Sequence, residues 1–368
     1  MGSNYRFFVK MQVCTALLCV LTGVALAAGG YTAPDIGRNE TMTAKYEDTL
    51  INLAMEKRVG YAQLIAANPG VDPWLPGNGT KITLPNWHII PDVERKGLIL
   101  NTGELRLYYF APDGSAYTFP IGIGREGLFT PKGTTTIVSR QANPTWRPTP
   151  RMRLEDPELP AEVKTGPDNP LGKHALYFGW PSYRIHGTNK PKAIGRRASS
   201  GCVRMYDDEI EWVFKNVPNG TKVTSIDQPI KMAWINGAFY IEAEPNDLQI
   251  DEIEYHNRQM TIDIPDGIIA KIRAKAGEDV DKIDWEKVRN VLIERSGLPT
   301  KVSVGTATAK VAEPIAAVVE KYAAPDTAEK PMEAAPVVKK ERSVKKKTEA
   351  AKTPVEEDHS RDWDNLNH

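Results

Sequence analysis

Cysteine and histidine are scarce in this sequence, whose 368 residues contain three cysteines and six histidines. Two of the cysteines, Cys14 and Cys19, lie in an apolar N-terminal segment, and Cys202 is the only one that follows it. One cysteine without a closely spaced acid or second histidine cannot supply the three or four ligands of a zinc site. The composition therefore predicts no metal site.

Neither sign of charge is in excess, because 47 lysines and arginines balance 47 acidic residues. No global attraction to nucleic acid or to a membrane surface follows, and no nucleic-acid partner is expected. A glycine-rich stretch, GIGREG at residues 122–127, lacks the strand-to-helix context of a nucleotide-binding loop. No cofactor is expected either.

Acidic residues are absent from residues 172–205, the stretch that holds both His186 and Cys202. A thiolate forms readily where a base takes its proton or where cations lower its pKa. Besides the histidine, the stretch supplies the cations Lys190, Lys192, Arg196, Arg197 and Arg204. The pattern predicts a thiol nucleophile; a buried inert cysteine would instead be expected in apolar surroundings.

The same stretch carries a family resemblance. His186-Gly187-Thr188, followed after a gap by SSGCVRM at residues 199–205, resembles the signature of the L,D-transpeptidase (YkuD) catalytic domain of the ErfK-YbiS-YcfS-YnhG type. These cysteine enzymes crosslink or decorate peptidoglycan. The resemblance implies that Cys202 is the nucleophile, that His186 is the general base, and that the Gly187 carbonyl orients the imidazole. Many members have histidine where this chain has Ser200.

Other side chains near the thiol receive less definite predictions. The backbone N–H groups of Ser200, Gly201 and Cys202 are candidates for an oxyanion hole. Ser199 and Ser200 are expected to hydrogen-bond locally, while Thr188 and Arg204 either bind substrate or hold the backbone. The remaining nearby histidine, His174, is expected to be a framework residue, and two acids after the signature, Asp207 and Asp208, are expected at a helix N-terminus.

The predicted fold class is mainly β, with a β-sandwich-like catalytic domain over residues 94–228. Short β-rich runs separated by turn residues, such as LRLYYFA and ALYFGW, support this interpretation. The proline-rich residues 145–170 exclude a long helix and predict either an ordered flap or an exposed loop. Trp146 and Pro148 in this insert could contact a sugar or a peptide.

The N-terminal residues predict export and wall binding. Residues 1–27 have the form of a cleaved signal peptide, with an uncleaved membrane anchor as the alternative, so the expected location is the periplasm. Residues 40–86 predict a strand-helix-helix-strand order, with Asp48 capping the first helix, and resemble a LysM module. The resemblance implies binding of peptidoglycan glycan strands; the alternative is a small packing domain. Deletion of residues 28–90 is expected to weaken retention on sacculi more than turnover.

The C-terminal third predicts an extension and a tail. Residues 229–300 predict a hairpin around Asn236-Gly237 and two helices, near 267–276 and 284–296. This extension resembles that of periplasmic relatives that attach a lipoprotein to the wall, which adds an outer-membrane lipoprotein as a candidate partner. Residues 303–368 are rich in Ala, Pro, Glu and Lys and predict a disordered tail.

The resulting hypothesis is a peptidoglycan L,D-transpeptidase. Cys202 would form an acyl-enzyme with a tetrapeptide stem, release D-Ala, and pass the acyl group to a lipoprotein lysine, to diaminopimelate or to a free D-amino acid. Transfer to water would make a hydrolytic variant. The alternative from another class is a wall-binding scaffold that acts through the LysM-like module with a vestigial thiol site.

Overall fold

The computed structural model describes residues 30–305. All of them belong to the first of two compact parts of the chain, Met1–Lys310. Its strands and α-helices, in chain order, are β1 Asp35–Gly37, β2 Glu40–Thr43, α1 Leu50–Lys57, α2 Tyr61–Ala66, β3 Lys81–Leu84, β4 Trp87–Ile89, β5 Gly97–Asn101, β6 Arg106–Phe110, β7 Ala116–Pro120, β8 Ile123–Gly124, β9 Gly133–Ala142, α3 Pro150–Glu155, β10 His174–Phe178, β11 Arg184–His186, β12 Arg197–Ser199, β13 Val203–Arg204, α4 Asp207–Asn216, β14 Lys222–Ile226, β15 Ile230–Ile235, β16 Ala238–Ala243, α5 Asp247–His256, α6 Ile268–Ala276, α7 Trp285–Glu294 and β17 Thr300–Lys301. The predicted signal peptide lies outside the described residues.

The N-terminal residues have the predicted order β2, α1, α2, β3, and the two strands pair antiparallel, with Glu40 opposite Leu84. Their helices bury Leu50, Leu53 and Leu64 in a small core that Ile253 of α5 also joins. The cap of α1 differs from the prediction. The Thr49 hydroxyl accepts the Asn52 amide at 3.2 Å, whereas the Asp48 carboxylate accepts the Lys45 amide and closes the preceding turn.

The central sheet has eight strands in the order β13-β11-β10-β9-β14-β5-β6-β7. It mixes parallel pairs, β14 with β5 and β11 with β13, among antiparallel ones. Its two edges meet, because Gly122 just after β7 exchanges backbone hydrogen bonds of 2.8 and 2.9 Å with Arg204 of β13. The prediction of a mainly β catalytic domain is confirmed, while the two separate sheets of a sandwich are not seen among the described residues. The β-rich runs continue one curled sheet around a single core instead of forming two facing sheets.

Helix α4 packs inside the curl. Ile210, Val213 and Val217 are fully buried against strand residues such as Leu100, Ile185 and Val203. The spacing of the three aliphatic residues is the helical periodicity seen in the sequence. Only two residues, Met205 and Tyr206, separate β13 from α4. The packing of α4 therefore fixes the position of the strand that follows Cys202.

The proline-rich insert is ordered. Trp146 and Val163 form an isolated antiparallel bridge, and between them lies the short helix α3, whose cap is the Thr149 hydroxyl. The exposed pair Arg125–Glu155, at 3.6 Å, joins α3 to the loop that follows β8. The insert therefore lies against a loop that also contacts the predicted oxyanion turn.

The C-terminal residues form the predicted hairpin, β15 with β16, to which β17 adds a third strand. Helices α6 and α7 occur where the sequence places them, and α5 is an additional helix that the sequence analysis did not identify. Ordered contacts continue to the last described residues, because the Phe239 amide donates to the Ser303 hydroxyl at 3.0 Å. The extension thus includes the first residues of the predicted tail, whose remainder lies outside the described range.

Charged side chains are buried where the N-terminal, central and C-terminal parts meet. This buried charge cluster consists of His88, Glu104, Arg106, Lys231, Glu242 and Glu244. The Lys231 ammonium lies 2.8 Å from Glu104 Oε2 and 3.0 Å from Glu242 Oε1. Since the Lys231–Glu104 ion pair crosses from β15 to the turn just before β6, it fixes the extension to the central sheet. None of the helices in residues 30–305 has the length and hydropathy of a membrane span.

Candidate active site

Strand pairing places the predicted histidine on the strand next to the one that the predicted nucleophile, Cys202, immediately precedes. Strands β11 and β13 are parallel, with Ile185 opposite Val203 and His186 opposite Arg204. Ile185 and Val203 are fully buried in the core, so their neighbours along the strands face the other side of the sheet. Arg184, two residues before His186, shares that face. Cys202 immediately precedes β13 and enters the same neighbourhood.

The imidazole of His186 is held in one orientation. Nδ1 lies 2.6 Å from the Gly187 carbonyl, which can only accept, so Nδ1 carries the proton and Nε2 is the basic nitrogen. Burial, reinforced by the Arg204 cation, lowers the pKa of His186 to about 3. The histidine is therefore neutral near pH 7. This is the orienting contact that the family resemblance implied for Gly187.

The backbone beyond His186 is held by Asp207. Its Oδ1 accepts the Thr188 amide at 3.1 Å and would lie 2.2 Å from a Cβ built on Gly187. Only glycine fits at residue 187 without displacing that carboxylate. Thr188 has a structural part here, since its hydroxyl accepts the Lys190 amide at 2.9 Å. Asp207 lies in the first turn of α4, as predicted, but the sequence analysis did not identify its contact with the loop that follows His186.

The turn before the thiol is closed by a serine. Ser199 Oγ donates to the Cys202 carbonyl at 2.5 Å and accepts the Gly201 amide at 3.1 Å. The local role predicted for Ser199 agrees with these contacts. The Gly201 amide, proposed for an oxyanion hole, is instead engaged by Ser199. From the far side, Thr130 donates its hydroxyl to the Gly201 carbonyl at 2.9 Å, a contact that the sequence analysis did not identify.

The thiol of Cys202 is half-buried, and its Sγ lies 3.5 Å from the Ser182 carbonyl. Burial raises its pKa above the ordinary value, while the cations Arg184 and Arg204 act in the opposite direction. Of the predicted activating cations, Arg204 is therefore placed near the sulfur. Arg184 was missed, although its two-residue spacing from His186 in a strand would have indicated it.

Two of the other predicted cations face away from the sulfur. Arg196 forms a two-point ion pair with Glu254, and Arg197 lies 2.9 Å from Asp247. Both acids belong to α5. The prediction that these arginines activate the thiol was wrong, because distant acids in the sequence pair with them in the fold.

The remaining predicted residues lie at the margin. Ser200 is half-buried on the turn. His174 packs its ring 4.7 Å from that of Phe214, and its backbone carbonyl accepts the Gly187 amide, as expected of a framework residue. Asp208 pairs with Arg58 at 2.9 Å on the surface of residues 40–86, which we call the N-terminal unit.

Two features outside the thiol site could hold other groups. A cleft of about 370 Å³ adjoins the turn on the Thr130 side, but neither Cys202 nor His186 lines it. Within residues 30–305, the one set of three side chains with metal-ligand spacing is His88, Glu242 and Glu244 in the buried charge cluster. The Lys231 ammonium beside Glu242 already supplies a positive charge there.

Comparison with known proteins identifies the class. The L,D-transpeptidase catalytic domain family (YkuD) matches residues 95–224. The chain is 37% identical over 309 residues to the probable L,D-transpeptidase ErfK/SrfK of Escherichia coli K12, covering 80% of this chain and 97% of that protein. The chain therefore belongs to the L,D-transpeptidase family and is an enzyme of that class.

Two further relatives from Escherichia coli K12 support the assignment. The probable L,D-transpeptidase YbiS is 36% identical over 314 residues, covering 80% of this chain and 99% of that protein. YcfS is 39% identical over 263 residues, covering 68% and 79%. Among solved structures, L,D-transpeptidase 3 from Mycobacterium tuberculosis is 15% identical, covers 42% of this chain and 67% of its own, and has a TM-score of 0.30. The assignment rests on the sequence relatives.

Proposed function

We propose that this enzyme is a peptidoglycan L,D-transpeptidase in which Cys202 attacks the carbonyl of diaminopimelate at position three of a tetrapeptide stem. The C–N bond to D-Ala breaks, and the stem becomes a thioester on Sγ. An amine then attacks the thioester and releases the enzyme. The observation that carries the proposal is the pairing of β11 with β13, which places a buried histidine on the strand next to the one that the half-buried Cys202 immediately precedes.

The proton moves through His186. The thiol pKa is raised and the histidine pKa is lowered to about 3, so the resting pair is a neutral thiol and a neutral imidazole. Since Nδ1 is bound to the Gly187 carbonyl, Nε2 takes the thiol proton as the sulfur attacks. The imidazolium then gives that proton to the departing amine of D-Ala. Arg184 and Arg204 favour the thiolate that forms transiently.

Charge that develops on the attacked carbonyl needs backbone donors. Because Ser199 engages the Gly201 amide, we assign the Ser200 and Cys202 amides to this role. Arg204 is a candidate for binding the stem carboxylate, while its backbone closes the sheet through Gly122. Ser199 and Thr188 hold the backbone without contacting substrate.

Two amines are candidates for the acceptor. Anchoring of a lipoprotein lysine is our first choice, because the module order resembles that of periplasmic relatives with this activity. A cationic cleft disfavours a bare lysine, whereas the diaminopimelate amine arrives with its own carboxylate. We further propose that residues 1–27 direct export to the periplasm, that residues 40–86 bind glycan strands as a LysM module, and that residues 229–300 form the extension.

Incubating purified tetrapeptide muropeptides with the enzyme and an amine acceptor, and weighing the products, tests the proposal. The wild type should release D-Ala and give the transfer product. His186→Ala should lose at least about 100-fold in turnover, whereas the matched control His174→Gln should retain it. Binding to sacculi without any product would favour the scaffold alternative, and loss of D-Ala without transfer would favour hydrolysis.

Two acceptors offered at equal concentration separate the anchoring and crosslinking hypotheses. One is a peptide ending in lysine, as a lipoprotein would present it, and the other is a tripeptide stem with a free diaminopimelate amine. Anchoring predicts product on the lysine peptide. Product on the stem alone would replace anchoring with crosslinking between stems.

A further inference from the structure

Four residues just ahead of the turn that holds Cys202 are contacted by two parts of the chain, one before and one after the central sheet. We call residues 194–197 the approach segment, since they lead through β12 and the Ser199 turn to Cys202. The segment joins β8 through the Ile123 amide, which donates to the Arg196 carbonyl at 3.1 Å. Further along β12, the Arg125 amide donates to the Ser199 carbonyl at 2.9 Å. A displacement of the segment would therefore reach the serine that closes the thiol turn.

The N-terminal unit contacts the approach segment backbone to backbone. The amides of Tyr61 and Ala62 donate at 3.3 Å to the carbonyls of Ile194 and Gly195. These are the first amides of α2, whose N-cap residue Gly60 offers no side-chain cap. The approach segment thus satisfies donors that a helix start leaves open. Gly195 has a φ of +78°, and a Cβ there would lie 2.2 Å from the Tyr61 nitrogen.

The C-terminal extension contacts the same segment through α5. The guanidinium of Arg196 makes two bonds to the Glu254 carboxylate, at 2.6 and 2.7 Å. The two side chains are 10% and 1% exposed, so solvent screens the pair little. The same guanidinium lies 4.0 Å from the centre of the Tyr61 ring, which joins α2 and α5 at one side chain.

A two-point guanidinium–carboxylate pair fixes direction as well as distance. Arg196 therefore ties the segment to α5 in one orientation, and α2 holds the preceding carbonyls. From the segment, four residues of strand and turn (198–201) lead to Cys202, and Ser199 bonds to both sides of that turn. The position of the sulfur relative to His186 thus depends on contacts made by both accessory parts of the chain.

We propose that Arg196 and Glu254 are positioning residues of the transpeptidase reaction, and that the N-terminal unit and α5 are parts of the active-site framework. The inference rests on the proposed function of Cys202. It revises the expectation that deletion of residues 28–90 weakens retention on sacculi more than it slows turnover, because the deletion would also remove Tyr61 and the support of the approach segment.

The test compares Glu254→Gln with Glu252→Gln in the full-length protein. Both remove one carboxylate charge from α5, but Glu252 faces the exposed Arg258 instead of the approach segment. Transfer from a soluble tetrapeptide stem is measured per folded molecule, well below the unfolding temperature of each variant. We expect the kcat of Glu254→Gln to fall about tenfold or more, with KM within about twofold, because a small misplacement of a nucleophile is costly. The control stays within about twofold of the wild type.

A kcat per folded molecule that is unchanged in Glu254→Gln, with only the unfolding temperature lowered, overturns the proposal. If that variant does not fold, Arg196→Lys decides, since it keeps the charge but loses the two-point contact. Its kcat should fall at least about threefold, and an unchanged kcat overturns the proposal equally.

A second measurement is independent of the transpeptidase reaction. Iodoacetamide alkylation of Cys202, followed by peptide mass, should be at least about threefold faster in Glu254→Gln at pH 8, because a loosened turn exposes the thiol. If the wild type transfers nothing but this difference is seen, the proposed function fails and the positioning role stands. Equal alkylation rates in the wild type and the variant count against the positioning role.

Discussion

Replacing Lys231 with methionine tests the buried charge cluster that joins the extension to the central sheet. The ammonium group is fully buried between Glu104, at 2.8 Å, and Glu242, at 3.0 Å. Burial raises the pKa of Glu242 and that of Glu244, and the lysine cation opposes this effect in both. Removing the cation leaves Glu242 without its ammonium partner, while Arg106 still faces Glu104 at 3.7 Å. Breaking such a buried pair costs about 3–5 kcal/mol of unfolding free energy.

The matched control is Lys222→Met. Lys222 lies 2.6 Å from Glu94, a shorter distance than either contact of Lys231, but the two side chains are 36% and 63% exposed. An exposed pair contributes about 1 kcal/mol or less. If the distance between the charges determined the loss of unfolding free energy, the two variants would lose similar amounts. If burial determines it, the two losses differ several-fold.

Urea unfolding at pH 7 and pH 5 measures both variants. The loss in Lys231→Met should be smaller at pH 5, because protons neutralise the carboxylates that the lysine leaves behind. The double variant Lys231→Met with Glu242→Gln should recover part of the stability, because it also removes the Glu242 charge that loses its partner Lys231. A loss below about 1 kcal/mol in the single variant would refute the reasoning.

Three further changes address the site. Arg184→Gln should raise the thiol pKa of Cys202 further and so slow its alkylation by iodoacetamide at pH 8, by about tenfold if the pKa rises by one pH unit; an unchanged pH profile would remove Arg184 from the site. Gly187→Ala should lose about 1–3 kcal/mol and most transfer activity through its collision with Asp207, whereas Gly166→Ala, where a Cβ meets nothing within 4 Å, should be neutral by the same assays. Because the folded-state pKa of His186 is about 3, below the ordinary 6.5, the stability present above pH 6.5 should fall as the pH drops towards 3, by up to about 1.4 kcal/mol per pH unit. Urea midpoints of the wild type and His186→Gln across this window should have different slopes, and parallel slopes would contradict the burial of that histidine.

Local patterns in the sequence were sufficient for much of the site. The acid-free stretch and the family motif identified His186 and Cys202 as candidates, and the local hydrogen bonds of Ser199 were as expected for a short polar side chain near a tight turn. The helical spacing of Ile210, Val213 and Val217 likewise predicted α4. Each of these signals depends on neighbours in sequence or on a motif, so it is visible without the fold.

Such local signals do not identify contacts between residues that are far apart in the sequence. Arg196 looked like an activating cation until the fold brought Glu254, 58 residues later, against it. Lys231 looks like an ordinary surface residue of a hairpin, yet the fold buries it between two glutamates. The curl of the sheet was missed for the same reason, because the Gly122–Arg204 bridge joins residues 82 positions apart. Such pairings depend on topology, which composition and periodicity do not specify.

The central claim is that Cys202 carries the acyl group, and the mass of the intact enzyme tests it most directly. The wild type is mixed with a tetrapeptide stem without an acceptor, quenched in acid, and weighed before and after proteolysis. We predict an added mass equal to the stem less D-Ala, located on the peptide that contains Cys202 and absent from Cys202→Ala. An adduct on another residue, or one that persists in Cys202→Ala, would contradict the claim.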